Sequence, residues 1–377
     1  ETRPGIDMIP FNAPDLGELE ERYVLDALRS GWVTTGPFVE RLEAGFKRLT
    51  GRRHAVACSS GTSALFIALK ALGVKPGDRI LCQAYACDAL AHTVIWATGK
   101  PPILHDVDPH TWSLRIDGLE ERLGLHPEIV GVILAHTYGV PAQDTEKIVA
   151  VCRAKGLWLV EDGSEAHGAS LDGEPIGARG EMAIFSCRGE KVISGGQLGV
   201  VVSDDESLAR RARQWVENGL PASTVRFWAT VPGLNMQPAH LNAALGRAQL
   251  ERLPELLAKR RAVHKGWRDR LEGTSGIWFQ IGHGEPAWWL TALLLGQEFS
   301  GLLPQDLGVA LRQRGVETRC GFYGLHRMPH IAPDCGAGPF EVTDMLLRRL
   351  LVLPSGPTIT PAQQDEVVRH LREIVGR

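Results

Sequence analysis

Short apolar runs rich in valine, isoleucine and leucine alternate with helix-forming segments between residues 54 and 202. Continuous apolar runs are typical of strands buried on both faces, and their alternation with helices is typical of parallel sheets. The predicted strands cover residues 54–58, 79–85, 102–107, 129–137, 157–160, 183–186 and 199–202. The alternation therefore predicts an α/β domain with a mostly parallel sheet that is covered by helices on both faces.

The 377 residues are too many for one ordinary hydrophobic core and indicate a large domain with a smaller one beside it. From about residue 238 the pattern changes to a long helix with a charged face, which we expect to continue to Leu271. Shorter strand-like and helical pieces follow, ending in a helix over 361–375. We therefore expect a large α/β domain at 1–250 and a smaller C-terminal α+β domain at 251–377, with the boundary inside the long helix.

The composition excludes several classes of protein. The formal net charge is only -3 and there is no long basic run, which disfavours a nucleic-acid partner. No run approaches the roughly 20 apolar residues of a membrane span, and the start lacks an apolar signal core. The seven cysteines form no CxxC pair, which indicates reduced thiols rather than disulfides or a metal site. We expect a cytoplasmic protein with small-molecule partners and no membrane or metal.

Two residues that follow predicted strands, a lysine and an aspartate, are of the types that bind the cofactor pyridoxal phosphate. Asp162 comes shortly after the strand at 157–160, and Lys191 lies in a glycine-containing turn shortly after the strand at 183–186. A lysine amine forms a Schiff base with the aldehyde of pyridoxal phosphate, and a carboxylate holds the pyridine nitrogen protonated so that the ring accepts electrons. Ligands of open α/β folds bind at the carboxyl ends of the strands, where both residues are expected.

A third feature is the Ser-Ser-Gly-Thr-Ser run at 59–63, between a strand and a predicted helix at 62–72. A helix N-terminus offers unpaired N–H groups to an anion, and a glycine there lets the backbone approach a phosphate closely. Taken alone, each feature has an ordinary explanation as a helix cap, a strand-end turn or a solvated lysine. Their conjunction, in this order, predicts a pyridoxal phosphate enzyme.

At these residues the chain resembles the nucleotide-sugar aminotransferases of the DegT/StrS type. The similarity also includes the segments 9–11, 28–37 and 353–354 and extends over nearly the whole chain. The resemblance implies the aspartate-aminotransferase fold, which is fold type I of the pyridoxal phosphate enzymes, with a mostly parallel seven-stranded sheet. It also implies a homodimer whose active sites are built from two chains.

The resemblance assigns roles to individual residues. Lys191 would be the Schiff-base lysine, and Asp162 would pair with the pyridine nitrogen of the cofactor. The residues expected to bind the cofactor phosphate are Ser60, Gly61, Thr62 and Ser186, with Asn235 contributed by the neighbouring subunit.

Some positions depart from the usual pattern of the family. Glu165 stands where a glutamine or histidine commonly meets the cofactor's phenolic oxygen, so a carboxyl there must share a proton with that oxygen or repel it. Cys87 falls where many members stack an aromatic ring on the cofactor, and it either covers the ring face or is a core residue of a helix start. Gln83 replaces a usual proline. Gln197 and Leu198 replace a turn that normally carries a glutamate, which leaves sugar or donor contacts there open.

A later segment, 317–329, resembles the Leu-His-x-x-Pro segment of the family. By this resemblance His326 is a candidate catalytic residue that meets the sugar substrate, although a lone histidine is often structural. Arg319 either binds a carboxylate or phosphate through its planar guanidinium or pairs with Glu317 at the surface.

The expected function is transfer of an amino group from an amino acid, glutamate or glutamine, to a keto-sugar that is carried on a nucleotide. Two alternatives stay open at the level of sequence. One is a pyridoxal phosphate aminotransferase that acts on a cyclitol or another non-nucleotide ketone. The other is a regulatory protein that keeps the fold without catalysis.

Overall fold

The computed structural model describes residues 8–221, 225, 227–296, 299 and 303–375. The strands are β1 (His54–Cys58), β2 (Arg79–Gln83), β3 (Ile103–His105), β4 (Ile129–Ala135), β5 (Trp158–Asp162), β6 (Ser170–Leu171), β7 (Glu174–Pro175), β8 (Met182–Ser186), β9 (Gly199–Ser203), β10 (Ile277–Phe279), β11 (Ala292–Leu295), β12 (Arg319–Cys320) and β13 (Leu350–Val352). The α-helices are α1 (Glu18–Arg29), α2 (Pro37–Thr50), α3 (Gly61–Ala71), α4 (Asp88–Thr98), α5 (Leu119–Leu125), α6 (Thr145–Ala154), α7 (Glu206–Val216), α8 (His240–Glu251), α9 (Leu253–Leu271), α10 (Pro304–Arg312), α11 (Glu341–Arg349) and α12 (Pro361–Val375).

The largest sheet of the described residues has seven strands in the order β1-β9-β8-β5-β4-β2-β3. The pairings from β8 through to β3 are parallel, whereas β9 is antiparallel to both β8 and β1. β9 reverses direction because only a loop connects it to β8, while a parallel neighbour needs a crossover of a dozen or more residues, usually with a helix. The prediction of a mostly parallel seven-stranded sheet is confirmed, and the loop that reverses the chain carries Lys191.

Both faces of this sheet are covered, as the apolar runs predicted. Side chains alternate along a strand, so Val56 and Cys58 of β1 enter one hydrophobic cluster and Ala55 and Ala57 enter another. The first cluster lies under α3, α4 and α7, and the second lies under α2 and α8. β2 and β4 end earlier than predicted, at Gln83 and Ala135, because the chain turns there to form the walls of a cleft.

The long helix predicted from residue 238 to Leu271 is broken. α8 ends at Glu251, Arg252 links the helices, and α9 begins at Leu253 with Pro254 in its first turn. A proline has no N–H to donate and its ring crowds the carbonyl one turn earlier, so one helix ends there and a new helix starts. The prediction of one continuous helix was wrong at this proline, although the break falls next to the predicted domain boundary at 250/251.

The C-terminal part of the chain builds a second, smaller sheet. Its four strands are antiparallel in the order β10-β11-β13-β12, and α9, α10 and α12 pack around them. A separate apolar cluster fills this region, with Trp267 and Val367 fully buried between the helices and the strands. The exact boundary between the two regions stays a prediction. Among the described residues, no helix combines the length and the apolar character needed to cross a membrane.

Candidate active site

A cleft of about 270 Å³ opens at the carboxyl ends of β4, β5 and β8. Ala135, Asp162 and Ile184 lie side by side in register at this edge of the sheet. The predicted site residues that line the cleft are Gly61, Thr62, Cys87, Asp162, Glu165, Ser186 and Lys191. Parallel strands thus bring together residues that lie far apart in the sequence, at the edge where α/β folds bind ligands.

Lys191 lies in the loop between β8 and β9, in a turn closed by its N–H donating to the Arg188 carbonyl at 2.8 Å. Its Nζ lies 3.1 Å from Oε1 of Glu165 and 3.6 Å from the ring centroid of Trp289. The Lys191 side chain is 11% exposed. The amine is therefore sheltered from bulk water, held between a carboxylate and an aromatic face, and open to the cleft.

Glu165 is fixed from its other side by the backbone. Its Oε2 accepts the N–H of Tyr138 at 2.7 Å, and Tyr138 has the left-handed φ of 57°, which costs a residue with a side chain about 1 kcal/mol. Burial raises the pKa of Glu165, while the positive charge of Lys191 and the hydrogen bond from Tyr138 act in the opposite direction. The carboxyl thus takes up a proton more readily than an exposed glutamate, in direct contact with the lysine amine.

The adjacent acids Glu161 and Asp162 have opposite surroundings, because successive side chains of a strand point to opposite faces. Asp162 lines the cleft and accepts the N–H of Ser164 at 2.9 Å. Glu161 is fully buried away from it and accepts the N–H groups of Arg179 and Gly180 at 2.6 and 3.0 Å. Burial alone would raise the pKa of Glu161, but these bonds and the His136 ring lower it to about 2.

His136, in the cleft wall after β4, is oriented by two contacts. Its Nδ1 accepts the N–H of Ala142 at 3.1 Å, so the ring proton is on Nε2, which donates to Oε2 of Glu161 at 3.3 Å. The imidazole therefore donates through Nε2 to Glu161, and His136 lines the cleft between Ala135 and Thr137.

The N-terminus of α3 meets the end of β8 at the floor of the cleft. A Cβ added to Gly61 would lie 2.4 Å from the Cβ of Ser186, so only glycine permits this approach. Thr62 lines the same wall, whereas Ser60 caps α3 by accepting the N–H of Ser63 at 3.0 Å. A helix N-terminus, a glycine and a serine hydroxyl in this arrangement are suited to binding an anion, and the cap from Ser60 fixes the first turn of the helix.

Cys87 is the residue before α4 and faces the cleft. The surrounding walls desolvate a thiolate and raise the pKa of Cys87 to about 11, although the positive charge of Lys191 lowers it. The thiol is therefore a neutral, polarizable surface at neutral pH rather than a nucleophile. Its place in the cleft wall agrees with the cofactor-covering interpretation.

Three predicted site residues do not line the cleft of this chain: Ser60, which caps α3, Asn235 and His326. Asn235 is exposed in the segment before α8, where its backbone forms an isolated antiparallel β-bridge with Glu217. The predicted contact of Asn235 is with the cofactor of another subunit, which a single chain does not contain. The His326 ring is bonded through Nε2 to Asp344 at 3.0 Å and is stacked on Phe340 with centroids 4.6 Å apart. These contacts hold the His326 ring in place within one chain, and it does not line the cleft, so a contact with a substrate stays a prediction.

The other departures from the family pattern have structural explanations. The buried amide of Gln83 makes four hydrogen bonds: its oxygen accepts two backbone N–H groups, of Leu114 and Ala135, and its nitrogen donates to two oxygens. Leu198 is buried in the core and Gln197 is exposed, and neither lines the cleft. Arg319 pairs with Glu317 at 2.8 Å, which favours the surface interpretation of that arginine.

Sequence reasoning missed several residues of the cleft wall. Trp289 and Phe322 come from the C-terminal region and close the side of the cleft opposite the sheet, and Arg188 and Glu190 flank Lys191 at its mouth. The Trp288-Trp289 pair was a visible signal, since bulky aromatic residues in adjacent positions are uncommon on a surface. Only the folded chain shows which of the two indoles faces the lysine.

Comparisons with known proteins agree with this geometry. Residues 14–372 match the DegT/DnrJ/EryC1/StrS aminotransferase family. The chain is 32% identical over 375 residues to the GDP-perosamine synthase of Caulobacter vibrioides, covering 97% of this chain and 98% of that protein. The aminotransferase TlmJ from Streptoalloteichus hindustanus has a TM-score of 0.89 at 26% identity, with 98% of this chain and 99% of that one covered. A structure of DesI in the presence of its TDP-sugar product has a TM-score of 0.86 at 26% identity, with coverages of 99% and 93%. The chain therefore belongs to the DegT/DnrJ/EryC1/StrS aminotransferase family, as its resemblance in sequence predicted.

Proposed function

We propose that this protein is a pyridoxal-phosphate-dependent aminotransferase that moves an amino group from glutamate or glutamine to a keto-sugar carried on a nucleotide, in the biosynthesis of an aminodeoxysugar. The observation that carries the proposal is the meeting of Lys191 and Asp162 in one cleft, with a helix N-terminus suited to binding an anion at Gly61. Membership of the aminotransferase family supports the reaction, and relatives named for a GDP-sugar or crystallised with a TDP-sugar support a nucleotide-linked acceptor.

The residues of the cleft fit pyridoxal phosphate. The space left by the missing side chain of Gly61, beside the Ser186 hydroxyl and the first N–H groups of α3, suits a phosphate. Asp162 offers a carboxylate to a protonated ring nitrogen, and Lys191 offers an amine to an aldehyde. When bound, pyridoxal phosphate would supply that aldehyde and a ring that accepts electrons from the α-carbon of the amino acid.

The chain's own part in the reaction is proton transfer and orientation. With the cofactor supplying the electron-accepting ring, the Lys191 amine would act as the base that takes the proton from the α-carbon of the amino donor and as the acid that returns a proton to the carbon of the former aldehyde. Glu165, 3.1 Å from Nζ and with a raised pKa, is placed to hold a proton that the lysine gives up. Water would release the carbon skeleton of the donor as its oxo acid, and in the second half-reaction the same residues would serve in the reverse order to place the amino group on the ketone carbon of the sugar.

We infer a homodimer with shared sites and a cytoplasmic location as parts of the same proposal. Asn235 lies in an exposed segment that also presents Trp228 and Leu234, which are 63% and 43% exposed, and Trp32 is 62% exposed near the start of α2. Large apolar side chains left in water favour a protein interface. A second chain seated there would let Asn235 reach a site other than its own.

The proposal is tested by single-turnover transamination with glutamate, followed by a panel of keto-sugar nucleotides. Lys191→Ala should abolish the first half-reaction, and the exposed Lys155→Ala should not. Conversion of a keto-sugar nucleotide, with no conversion of the free sugar or of a cyclitol ketone, is the expected second result. Conversion of the cyclitol ketone alone would show that the acceptor is not a nucleotide-linked sugar. A wild-type protein inactive with every donor would point to a non-catalytic protein.

A further inference from the structure

The loop that carries Lys191 is held by side chains from three distant segments. The carbonyl oxygen of Glu190, the residue before the lysine, accepts two hydrogen bonds, from Asn12 Nδ2 at 2.7 Å and from Trp289 Nε1 at 2.6 Å. Asn12 and Trp289 are both largely buried. Two donors on one carbonyl fix the peptide plane directly in front of the lysine, and hence the direction in which its side chain leaves the backbone.

Arg260 of α9 closes these contacts into a ring. Its guanidinium donates to the carbonyl of Trp289 at 2.9 Å and to Oδ1 of Asn12 at 3.3 Å, with a longer bond of 3.4 Å to the carbonyl of Lys191 itself. The residue is 2% exposed, and among the described residues its hydrogen-bond acceptors are uncharged oxygens. A buried cation without a carboxylate is costly, and the planar guanidinium offsets part of this cost by donating to several oxygens at once.

Trp289 also contacts the side-chain amine of Lys191. Its indole N–H belongs to the ring of hydrogen bonds, while its face lies 3.6 Å from Nζ of Lys191. A cation at this distance from an indole is attracted to the ring electrons. One side chain of the C-terminal region therefore contacts both the backbone and the amine of the proposed reactive residue.

We propose that Trp289, Arg260 and Asn12 are positioning residues that aim the Lys191 amine, and that seating of the C-terminal region against the sheet is required for the lysine to react. The inference rests on the proposed function, because it assumes that Lys191 is the residue that bonds to the cofactor aldehyde. α9 and the segment before β11 carry Arg260 and Trp289, so a displacement of that region releases the lysine loop. A misplacement of about 1 Å lowers the rate of an oriented reaction by about a hundredfold.

The experiment compares two ligands of the apo-protein. Pyridoxal phosphate condenses with the lysine amine, forming a carbon–nitrogen bond and releasing water, and borohydride reduction followed by peptide mapping gives the rate and position of this reaction. Pyridoxamine phosphate has no aldehyde, so its binding, measured by equilibrium dialysis, reports on the cofactor site without the bond to Lys191. The variants are Trp289→Phe, which keeps an aromatic face but loses the N–H, Arg260→Met, Arg260→Lys and Asn12→Ala. The matched controls are Trp278→Phe and Arg261→Met, at an exposed tryptophan and at the arginine next to Arg260.

Trapping of Lys191 should slow about fivefold in Trp289→Phe, for the loss of one hydrogen bond, and tenfold or more in Arg260→Met, since bonds to a charged group are stronger. Binding of pyridoxamine phosphate should be unchanged in the Asn12 and Arg260 variants that fold, because neither residue lines the cleft, and the two controls should match the wild type. Because the three residues share one ring, the double variant Asn12→Ala with Arg260→Lys should lose less than the sum of the single losses.

Equal trapping rates in the variants and the wild type would overturn the inference, and so would a parallel loss of pyridoxamine phosphate binding in the Asn12 and Arg260 variants, which would indicate general damage to the site. If Arg260→Met does not fold, Trp289→Phe, Asn12→Ala and Arg260→Lys decide the question. Failure of the wild type itself to be trapped at Lys191 would refute the proposed function rather than the positioning role.

Discussion

Glu161 provides the sharpest test of how the strand end beneath the cleft is stabilised. Its carboxylate is fully buried, accepts three backbone N–H groups, of Gly177, Arg179 and Gly180, and also binds the ring of His136, which lines the cleft. These bonds lower the pKa of Glu161 from its ordinary value of 4.5 to about 2. The charged form is therefore strongly preferred in the folded protein.

The stabilising effect follows from this difference in pKa between the unfolded and the folded state. Each unit is equivalent to about 1.36 kcal/mol, so a shift from 4.5 to about 2 contributes about 3 kcal/mol to the free energy of unfolding. Because the folded pKa is the lower one, the contribution is complete above 4.5 and is lost as the pH falls toward 2. About 2 kcal/mol of it should be gone by about pH 3.

The perturbation is Glu161→Gln, and the assay is urea denaturation of the apo-protein at a series of pH values from about 7 to 3. The variant should be less stable than the wild type by about 3 kcal/mol at neutral pH, and the difference should shrink steadily in acid. Glu121→Gln, at an exposed position of α5, serves as the control and should show no such convergence. A difference between Glu161→Gln and the wild type that stays constant down to pH 3 would refute the reasoning.

Three further results are expected. Gly61→Ala should lower the affinity for pyridoxal phosphate at least tenfold in a spectral titration, because the new Cβ must displace Ser186 or the helix end. Gln83→Leu should lower the free energy of unfolding by about 2–4 kcal/mol in urea, because two buried backbone N–H groups lose their acceptor. Alkylation of Cys87 by iodoacetamide should be slow at neutral pH and rise as the pH approaches 11, since the thiol pKa is raised to about 11. The same reaction should be slower still in Lys191→Ala, which removes the cation that lowers that pKa.

Each of these has a result that contradicts it. Gly124→Ala is the matched control for the first result, because a Cβ at that position meets nothing within 4 Å. Equal affinities for pyridoxal phosphate in the two variants would show that Gly61 does not help to bind the phosphate. An unchanged urea midpoint in Gln83→Leu would mean that the amide network is not needed. Modification of Cys87 at neutral pH as fast as that of a free thiol would show that the cleft does not desolvate it.

The alternation of apolar strands with helices was enough to predict the sheet and one wall of the site. Apolar runs mark the strands, and the carboxyl ends of parallel strands must converge, so Asp162, Ser186 and the turn at Gly61 could be placed together from the sequence. The break between α8 and α9 could have been predicted, because Pro254 was in plain view and a proline ends a helix.

The opposite wall could not be predicted in this way. Trp289 and Arg260 contact Lys191, and Phe322 lines the cleft, through the packing of the C-terminal region, which no local periodicity specifies. The position of His326 also depended on tertiary partners, since its ring is held by Asp344 and Phe340 rather than presented to the cleft. Long-range contacts, rather than residue types, decide these cases.

The central claim is that Lys191 is the residue that bonds to the cofactor aldehyde. The most direct measurement is borohydride reduction of the protein with pyridoxal phosphate, followed by mass mapping of the modified peptide. We predict a single pyridoxyl group on the peptide that contains Lys191, and its absence in Lys191→Ala. A pyridoxyl group on another lysine of the wild type, or none at all, would contradict the account.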